Sequence, residues 1–302
     1  MKGVAFCPAH ITGFFKAELD NTKKTDELGS QGAGFSIQKG VKTTVKARKK
    51  SEYDISNFHL NIKGYQTDNT QVSEYIIQKF LNLIEEKIFV DVDHEINVPV
   101  GYGLGCSGAV ALSLGLALNQ ALKMNLTKEE VGSIAHEAEI KCQTGLGDVL
   151  ASYHGGFEIR VKSGAPGIGI VKKIKTGSVS VIIICFSPIS TKRFLRERLS
   201  SINGLGGRMV TNLEASKNII EFQDMSLEFA NYVDIITPKM HSVIKDLNDN
   251  GIKCGVALFG ETIFSIVPYG LEKKVFDILE KYNDGIIIQS KIDNLGARLA
   301  LQ

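Results

Sequence analysis

The sequence predicts an α+β fold of two domains, residues 1–175 and 176–302. Predicted helices and strands interleave without the regular βαβ repeat of a doubly wound sheet. The composition changes at the glycine-rich stretch 163–170, after which a strongly β-branched strand at 179–187 opens the second half. The 302 residues, 43% hydrophobic and 23% charged, are typical of a globular protein that buries a full core.

The individual elements follow from residue patterns in chain order. Loosely alternating, β-branched stretches predict strands, and apolar residues at helical spacing predict helices. Thr127 and Glu130 form a capping-box pattern that opens a helix. The first half is predicted to contain a short strand at 3–6 entering a turn at Pro8, a polar loop at 20–34, strands at 35–50, 53–66, 89–98 and 157–162, helices at 71–87, 109–122 and from Thr127 onward, and a loop at 144–148. The second half is predicted to contain strands at 179–187, 255–268 and 285–291, and helices near 191–200, 207–231, 238–249 and 271–281.

Charge and cysteine usage exclude several classes of protein. The net charge of +2 gives no global field that would favour nucleic acid or an acidic membrane. The five cysteines are scattered without a CxxC pair, which fits neither a disulfide framework nor a zinc site. The uncharged stretch 98–122 begins with Pro99 and several glycines, and its helical remainder is shorter than the ~20 residues that a bilayer requires. We therefore expect a cytoplasmic protein with reduced thiols and with neither a nucleic-acid nor a membrane partner.

A glycine-rich stretch precedes this apolar helix. Residues 103-GLGCSG-108 match GxGxxG, but a dinucleotide site would need an acidic residue after a second strand about 20 residues later, where a helix is predicted here. No Gly-Lys-Ser/Thr is present, which excludes a Walker A motif. A glycine turn leading into a helix presents free N–H groups to an anion, and Ser107 adds a hydroxyl for a phosphate or Mg²⁺. The alternative is a tight turn whose glycines only permit close packing.

The stretch PVGYGLGCSGA resembles the second motif of the GHMP kinases, whose usual form is Pro-x-x-x-Gly-Leu-Gly-Ser-Ser-Ala. Cys106 stands in place of the first serine and Gly108 in place of the alanine. Residues 7–15 and 254–267 resemble the first and third motifs, the third retaining only Gly260 of its glycine core. The resemblance implies a ribosomal-S5-like first domain and a ferredoxin-like second domain, with ATP bound between them. The ATP-binding residues that it implies are Pro99, Gly101, Gly103, Leu104, Gly105, Cys106, Ser107 and Gly108.

Phosphoryl transfer needs a metal ion, donors around the γ-phosphate, and a group that orients or deprotonates the acceptor hydroxyl. On the helix that Thr127 opens, Glu139 lies at the margin of the buried face, which makes it the better metal ligand beside Ser107. Glu137 points about 160° away and is expected to be solvated. Asp148 follows glycines in a turn, where the resemblance implies the catalytic aspartate and where helix capping is the alternative. The expected catalytic residues are Ser107, Glu139 and Asp148, with Mg²⁺ held by Ser107 and Glu139.

Among the GHMP kinases, the sequence most resembles the family of archaeal pantoate kinases. The stretches that carry this resemblance are residues 10–15 (HITGFF), 30–34 (SQGAG), 136–139 (HEAE), 144–149 (TGLGDV) and 293–298 (DNLGAR). The resemblance implies ATP-dependent phosphorylation of (R)-pantoate to (R)-4-phosphopantoate in coenzyme A biosynthesis, by a homodimer. The substrate-binding residues that it implies are Ser30, His136, Arg160 and His10, with Arg160 clamping the pantoate carboxylate bidentately.

Several alternatives stay open at this point. Arg160 also fits an exposed arginine on an alternating strand. In mevalonate-kinase-like members a lysine of the first motif lies beside the catalytic aspartate, whereas this chain has His10 there and Lys16 slightly later. The acceptor could be another small hydroxy acid such as homoserine, shikimate or a mevalonate-like acid. A non-catalytic GHMP-like binding protein is the alternative from another functional class.

Overall fold

The computed structural model of the chain describes residues 1–20 and 22–300. Asn21, in the predicted loop, and the last two residues of the predicted second domain therefore lie outside the described residues. The described part forms two β-sheets covered by helices, which confirms the predicted α+β class. No helix within it combines the length and apolarity that a membrane crossing demands.

The first sheet is built mainly from the first half of the chain. Its strands run in the order β11-β1-β2-β4-β3, and β5 pairs with both β2 and β6. Their bounds are β1 Lys2–Glu18, β2 Gly29–Lys49, β3 Phe58–Gly64, β4 Ile88–Ile96, β5 Phe157–Lys162, β6 Ile170–Ile174 and β11 Arg298–Leu299. The helices of this half are α1 Gln71–Leu81, α2 Cys106–Leu122, α3 Lys128–Cys142 and α4 Asp148–His154.

In this half, the start of α3 was predicted correctly from its capping residues, whereas the course of the first strand was not. The capping box at Thr127 and Glu130 is confirmed, since both of its hydrogen bonds are present. The predicted turn at Pro8 is wrong, because β1 continues to Glu18 with a register shift between Pro8 and Ala9. A proline lacks an N–H, and such an irregularity is one of the places in a sheet where that loss is tolerated.

The second sheet has the strand order β10-β7-β9-β8 and carries the remaining helices. Its strands are β7 Val179–Pro188, β8 Gly255–Ala257, β9 Gly260–Pro268 and β10 Ile286–Ser290, and the helices are α5 Thr191–Ser216, α6 Ile219–Tyr232, α7 Pro238–Asp249 and α8 Glu272–Leu279. The predicted strand 255–268 is a hairpin, whose turn residue Phe259 has a φ of +66°. The predicted helix break at 201–206 is absent: α5 runs through, and Gly206 lets it pack on the backbone of Phe15, whose carbonyl oxygen would lie 2.0 Å from an added Cβ.

The two halves share one core. Phe14 and Phe157 of the first sheet pack against Phe222 of α6, with ring centroids 5.8 and 4.7 Å apart. Phe222 in turn stacks on Phe264 of β9 at 5.8 Å. The chain also returns to the first sheet after β10, where β11 pairs with β1. The division of the chain at residue 175 remains a prediction.

Candidate active site

The glycine loop between β4 and α2 is held in a conformation that only glycine adopts easily. Gly101, Gly103 and Gly105 have φ values of +86°, +75° and +59°. A Cβ added at Gly103 would lie 2.1 Å from the carbonyl oxygen of Leu258, at the β8–β9 turn. Among the described residues no side chain caps the start of α2. The loop therefore serves close packing and at the same time leaves helix N–H groups for an anion.

This loop forms one wall of a cavity of about 420 Å³ between the two halves. The opposite wall contains Ser190, Thr191 and Lys192 at the start of α5, together with Phe259. Two helix N-termini and a lysine thus face the same space, an arrangement that favours a polyanionic ligand. The helix near 191–200 was predicted from the sequence, but the place of its N-cap Ser190 at this cavity was not.

Ser107 and Glu139 meet beside the loop. The Ser107 hydroxyl donates to Glu139 Oε1 over 2.5 Å, and the Thr144 hydroxyl donates to the same oxygen over 3.0 Å. Glu139 is 1% exposed, and its Oε2 is buried without a hydrogen-bond partner among the described residues. Burial and, next, the charge of Asp148 raise the pKa of Glu139 to about 7. A buried oxygen without a partner, next to a site for phosphate, suits a hard cation.

Glu137 lies on another side of α3. Its carboxylate accepts a hydrogen bond of 2.8 Å from the Tyr75 hydroxyl and pairs with Lys79 at 3.0 Å. Both partners belong to α1, so Glu137 links two helices away from the cavity. The prediction that it lies apart from Glu139 is correct, but it is tied to its neighbours rather than merely solvated.

Asp148 is the first residue of α4 and lines the cavity. The helix-capping alternative is wrong: Gly147 is the N-cap residue, and within the described part of the chain no side chain caps this helix. The Asp148 carboxylate instead accepts a hydrogen bond of 2.8 Å from His10 Nδ1. The Asp148 side chain is 16% exposed, so it lines the cavity while it also contacts the buried His10 ring.

Beneath Asp148 lies a group of buried charged residues. His10 Nε2 is 2.9 Å from Glu158 Oε1, and the guanidinium of Arg160 contacts the same oxygen. All three side chains are fully or almost fully buried. Burial lowers the pKa of His10, but the hydrogen bonds to Asp148 and Glu158 outweigh it and raise the pKa overall.

Glu158 was missed by the sequence analysis, and the exposed-arginine alternative for Arg160 is wrong. One signal was available: the two charged residues stand two apart in the apolar strand FEIRVK. They therefore share one face of β5 and can form an internal ion pair.

The residues predicted to bind the acceptor lie close to this group but do not line the cavity. A Cβ added at Gly147 would lie 2.4 Å from Ser30 Oγ and 2.8 Å from Arg160 Nε, so both side chains lie beside Gly147. Arg160 Nε is buried without a partner among the residues described. The ring of His136, a residue of α3, lies beside the start of β2, where its Nε2 is 3.0 Å from the carbonyl oxygen of Leu28.

Two further side chains of the motifs are settled by the structure. Lys16 is 37% exposed and pairs with Glu18 at 2.7 Å, so the cation that lies beside Asp148 comes from His10. Burial raises the pKa of Cys106 to about 12. A reactive thiolate at the start of α2 is therefore excluded, and the residue acts as a small side chain that fits.

Comparison with known proteins defines first the class and then the family. Residues 74–156, from α1 to the end of α4, match the family "GHMP kinases N terminal domain". A solved structure described as "Phosphotransferase related to CoA biosynthesis pathway" has the same fold, with a TM-score of 0.88, 24% identity and 99% of each chain covered.

Two curated relatives extend over most of the chain. The pantoate kinase of Methanocaldococcus jannaschii is 34% identical, over 86% of this chain and 91% of that protein. The pantoate kinase of Methanospirillum hungatei JF-1 is 29% identical, over 93% of this chain and 91% of its own. The chain therefore belongs to the pantoate kinase family of the GHMP kinases.

Proposed function

We propose that the protein catalyses the ATP-dependent phosphorylation of (R)-pantoate to (R)-4-phosphopantoate, a step of coenzyme A biosynthesis. The observation that carries this proposal is the cavity that Ser107 and Asp148 line, with Glu139 buried behind Ser107 and accepting the hydrogen bond of its hydroxyl. The helix N-termini at this cavity suit a triphosphate. The buried side chains of Ser30 and Arg160, both beside Gly147 and next in the chain to Asp148, suit a small hydroxy acid with a carboxylate.

ATP binds with its phosphates on residues 101–108 and on the start of α2. Ser107 and Glu139 fit Mg²⁺, because they offer a hydroxyl and an unpartnered carboxylate oxygen. Mg²⁺ in such sites uses one or two protein oxygens and completes its shell with phosphate oxygens and water. When bound, the metal ion neutralises charge that develops on the transferring phosphoryl group.

The primary hydroxyl of the acceptor attacks the γ-phosphorus in line with the leaving group. A new O–P bond forms as the bond from the γ-phosphorus to the β–γ bridging oxygen breaks, and that oxygen leaves with the electron pair on ADP. Asp148 orients the hydroxyl and accepts its proton, which then passes to solvent. Because Asp148 is partly exposed to the cavity, it has a route for this proton.

Acceptor recognition depends on Arg160, whose free Nε points at Gly147. A guanidinium binds a carboxylate through two parallel N–H groups. Because Arg160 is buried and Gly147 lies over its Nε, acceptor binding requires residues 144–147 to move, while Asp148 keeps its place at the start of α4. The movement needed is local, since the loop lies between the last residue of α3, Cys142, and the first residue of α4, Asp148.

We further propose that the protein is a cytoplasmic homodimer. Its five cysteines are all unpaired, which fits a reducing compartment. Light scattering coupled to gel filtration measures the oligomeric state, and a monomeric mass would contradict the dimer.

The test is a panel of hydroxy acids with ATP and Mg²⁺, read by ADP release and by ³¹P NMR of the product. We expect turnover of pantoate with phosphate on its primary hydroxyl. Turnover of homoserine, shikimate or mevalonate but not of pantoate would show that pantoate is the wrong acceptor. ATP binding without turnover of any acid would identify a non-catalytic binding protein.

The same assay tests the carboxylate clamp. Arg160→Gln should raise the KM for pantoate about 30-fold or more, because a charged hydrogen-bonded pair contributes roughly 2 kcal/mol or more, while the KM for ATP changes little. Arg48→Gln is the matched control, since Arg48 forms an exposed ion pair with Asp54 far from the cavity. If a folded Arg160→Gln protein has an unchanged KM for pantoate, Arg160 does not bind the acceptor.

A further inference from the structure

His10 lies between two carboxylates in the interior of the protein. Its Nδ1 is 2.8 Å from Asp148 Oδ1 and its Nε2 is 2.9 Å from Glu158 Oε1. The side chain of His10 is 0% exposed and does not line the cavity. Both ring nitrogens are therefore engaged by the protein itself, and neither is left for a substrate.

The two carboxylates favour the doubly protonated form of the ring, although Arg160 Nη1 also lies 3.5 Å from Nε2. A neutral imidazole has one N–H and can donate to only one of the two carboxylates, whereas the doubly protonated ring donates to both. Asp148, His10, Glu158 and Arg160 then alternate in sign from the cavity inward, so that the buried charges compensate each other. The raised pKa of His10 agrees with this arrangement.

The backbone of His10 is fixed to the glycine loop. Its N–H donates to the carbonyl oxygen of Leu104 over 3.1 Å. A Cβ at Gly105 would lie 2.9 Å from the carbonyl oxygen of His10, so the two backbones touch directly. His10 thus contacts the loop with its backbone and Asp148 with its ring.

We propose that His10 is a positioning residue that holds the Asp148 carboxylate at a fixed place beside the phosphate loop, and that Glu158 holds the His10 ring in the orientation this requires. The inference deepens the proposed function, because it rests on Asp148 acting on the acceptor hydroxyl. His10 was expected from the resemblance to bind the substrate directly; in this proposal it acts on the substrate only by positioning Asp148. A displacement of about 1 Å at a reacting group typically costs about 100-fold in rate.

A double-mutant cycle tests whether His10 acts through Asp148. His10→Gln should lower kcat about 100-fold while leaving the KM for ATP within about twofold. In an Asp148→Asn background, the same change should lower kcat by less than about threefold further, because the group that it positions is already gone. Independent, multiplying losses in the double variant would overturn the proposal, as would a His10→Gln protein within about threefold of the unaltered enzyme.

Matched variants separate positioning from folding. His59→Gln is the control: His59 also pairs with an aspartate at 2.9 Å but is exposed on β3, and its loss should leave kcat unchanged. Circular dichroism checks the fold of each variant. If His10→Gln does not fold, the nearly isosteric Glu158→Gln takes its place in the cycle, with the same expected pattern and the same overturning result.

Nitrogen-15 NMR of the histidine ring provides a measurement that needs no activity. At neutral pH both His10 ring nitrogens should show the chemical shifts of a doubly protonated imidazolium, and Glu158→Gln should convert the ring to a neutral tautomer. A neutral His10 in the unaltered protein overturns the proposal even if pantoate is turned over. Absence of any turnover together with an imidazolium signal contradicts the proposed function instead.

Discussion

Glu137 and Glu139 of α3 show at the residue scale how position on a helix sets the role of a side chain. They are chemically identical and two residues apart, yet one is fixed by Tyr75 and Lys79 while the other is buried beside Ser107. Only Glu139 has a carboxylate oxygen that the described protein atoms leave unpartnered. The two residues therefore form a natural matched pair for a test of the metal site.

We predict that Glu139→Gln lowers kcat/KM about 100-fold or more, because loss of one metal ligand removes several kcal/mol of transition-state stabilisation. Glu137→Gln should lower it by less than about threefold, since an exposed or half-exposed ion pair contributes little. Steady-state kinetics over a range of Mg²⁺ concentrations measures both. A Glu137→Gln enzyme that loses more activity than Glu139→Gln would contradict the assignment.

The sequence predicts those site residues that stand inside a local motif. Ser107 follows from the glycine turn and Glu139 from a helical face, whereas Asp148 was expected from the family resemblance, and the structure brings the three close together. The contact between His10 and Glu158 was not predictable, because it depends on the pairing of β5 with β2 and of β2 with β1. These pairings join segments that are distant in the chain, and residue patterns do not specify them.

At the scale of the element, the glycine loop depends on a turn from the other half of the molecule. Gly103 lies against the backbone of Leu258, and the Thr262 hydroxyl donates to the carbonyl oxygen of Tyr102 over 2.8 Å. The sequence predicted the loop from its own residues, but its support comes from the β8–β9 hairpin. The loop conformation is thus a property of both halves.

We predict that Gly103→Ala destabilises the protein by about 2 kcal/mol or more, because the new Cβ meets backbone atoms and the φ is positive. ATP affinity should fall with it, measured by calorimetry. Gly177→Ala is the control, since a Cβ there meets nothing within 4 Å. If the Gly103→Ala protein is as stable as the unaltered protein and binds ATP as tightly, the loop does not need a positive φ at residue 103.

A second buried histidine joins four elements around α2. His94 of β4 lies 2.7 Å from the Thr43 hydroxyl of β2 and 3.2 Å from the Ser73 hydroxyl of α1, and Thr43 in turn reaches Ser113 of α2 at 2.7 Å. Burial lowers the pKa of His94 from 6.5 to about 4. The ring is therefore neutral in the folded protein at neutral pH.

We predict a loss of stability of about 3 kcal/mol from this residue between pH 6.5 and about 4, since one pKa unit corresponds to about 1.4 kcal/mol. The sign follows from linkage: the unfolded chain binds the proton first as the pH falls, so the contribution is complete above pH 6.5 and lost toward pH 4. Urea unfolding at several pH values measures this loss. His94→Gln should lose less stability on acidification, and an unchanged pH dependence would refute the prediction.

At the scale of the whole molecule, an aromatic cluster joins the two sheets, while a second hydrophobic cluster lies within the second half. Phe222 is 0% exposed and contacts rings from both sheets. The prediction of two domains came from composition and strand patterns, which report local structure. They carry no information on how many side chains the two halves bury against each other.

We predict that both sheets unfold in a single transition and that Phe222→Ala lowers the free energy of unfolding by about 3–5 kcal/mol. The chain has no tryptophan, so circular dichroism and tyrosine fluorescence in urea are the probes. Ile220→Ala on the same helix is the control, because Ile220 is 57% exposed and its loss should cost less than about 0.5 kcal/mol. Two separate transitions would contradict a shared core.

The pairing of β11 with β1 joins two strands from opposite ends of the described residues. Ala5 lies opposite Leu299, and Phe6 lies opposite Arg298. During translation β1 therefore leaves the ribosome with one edge unpaired, and such edges invite wrong partners until they are covered. Contacts between distant segments also form slowly. Because β11 covers β1 at Ala5 and Phe6, this edge of the strand that carries His10 is paired only after residues 298 and 299 have left the ribosome.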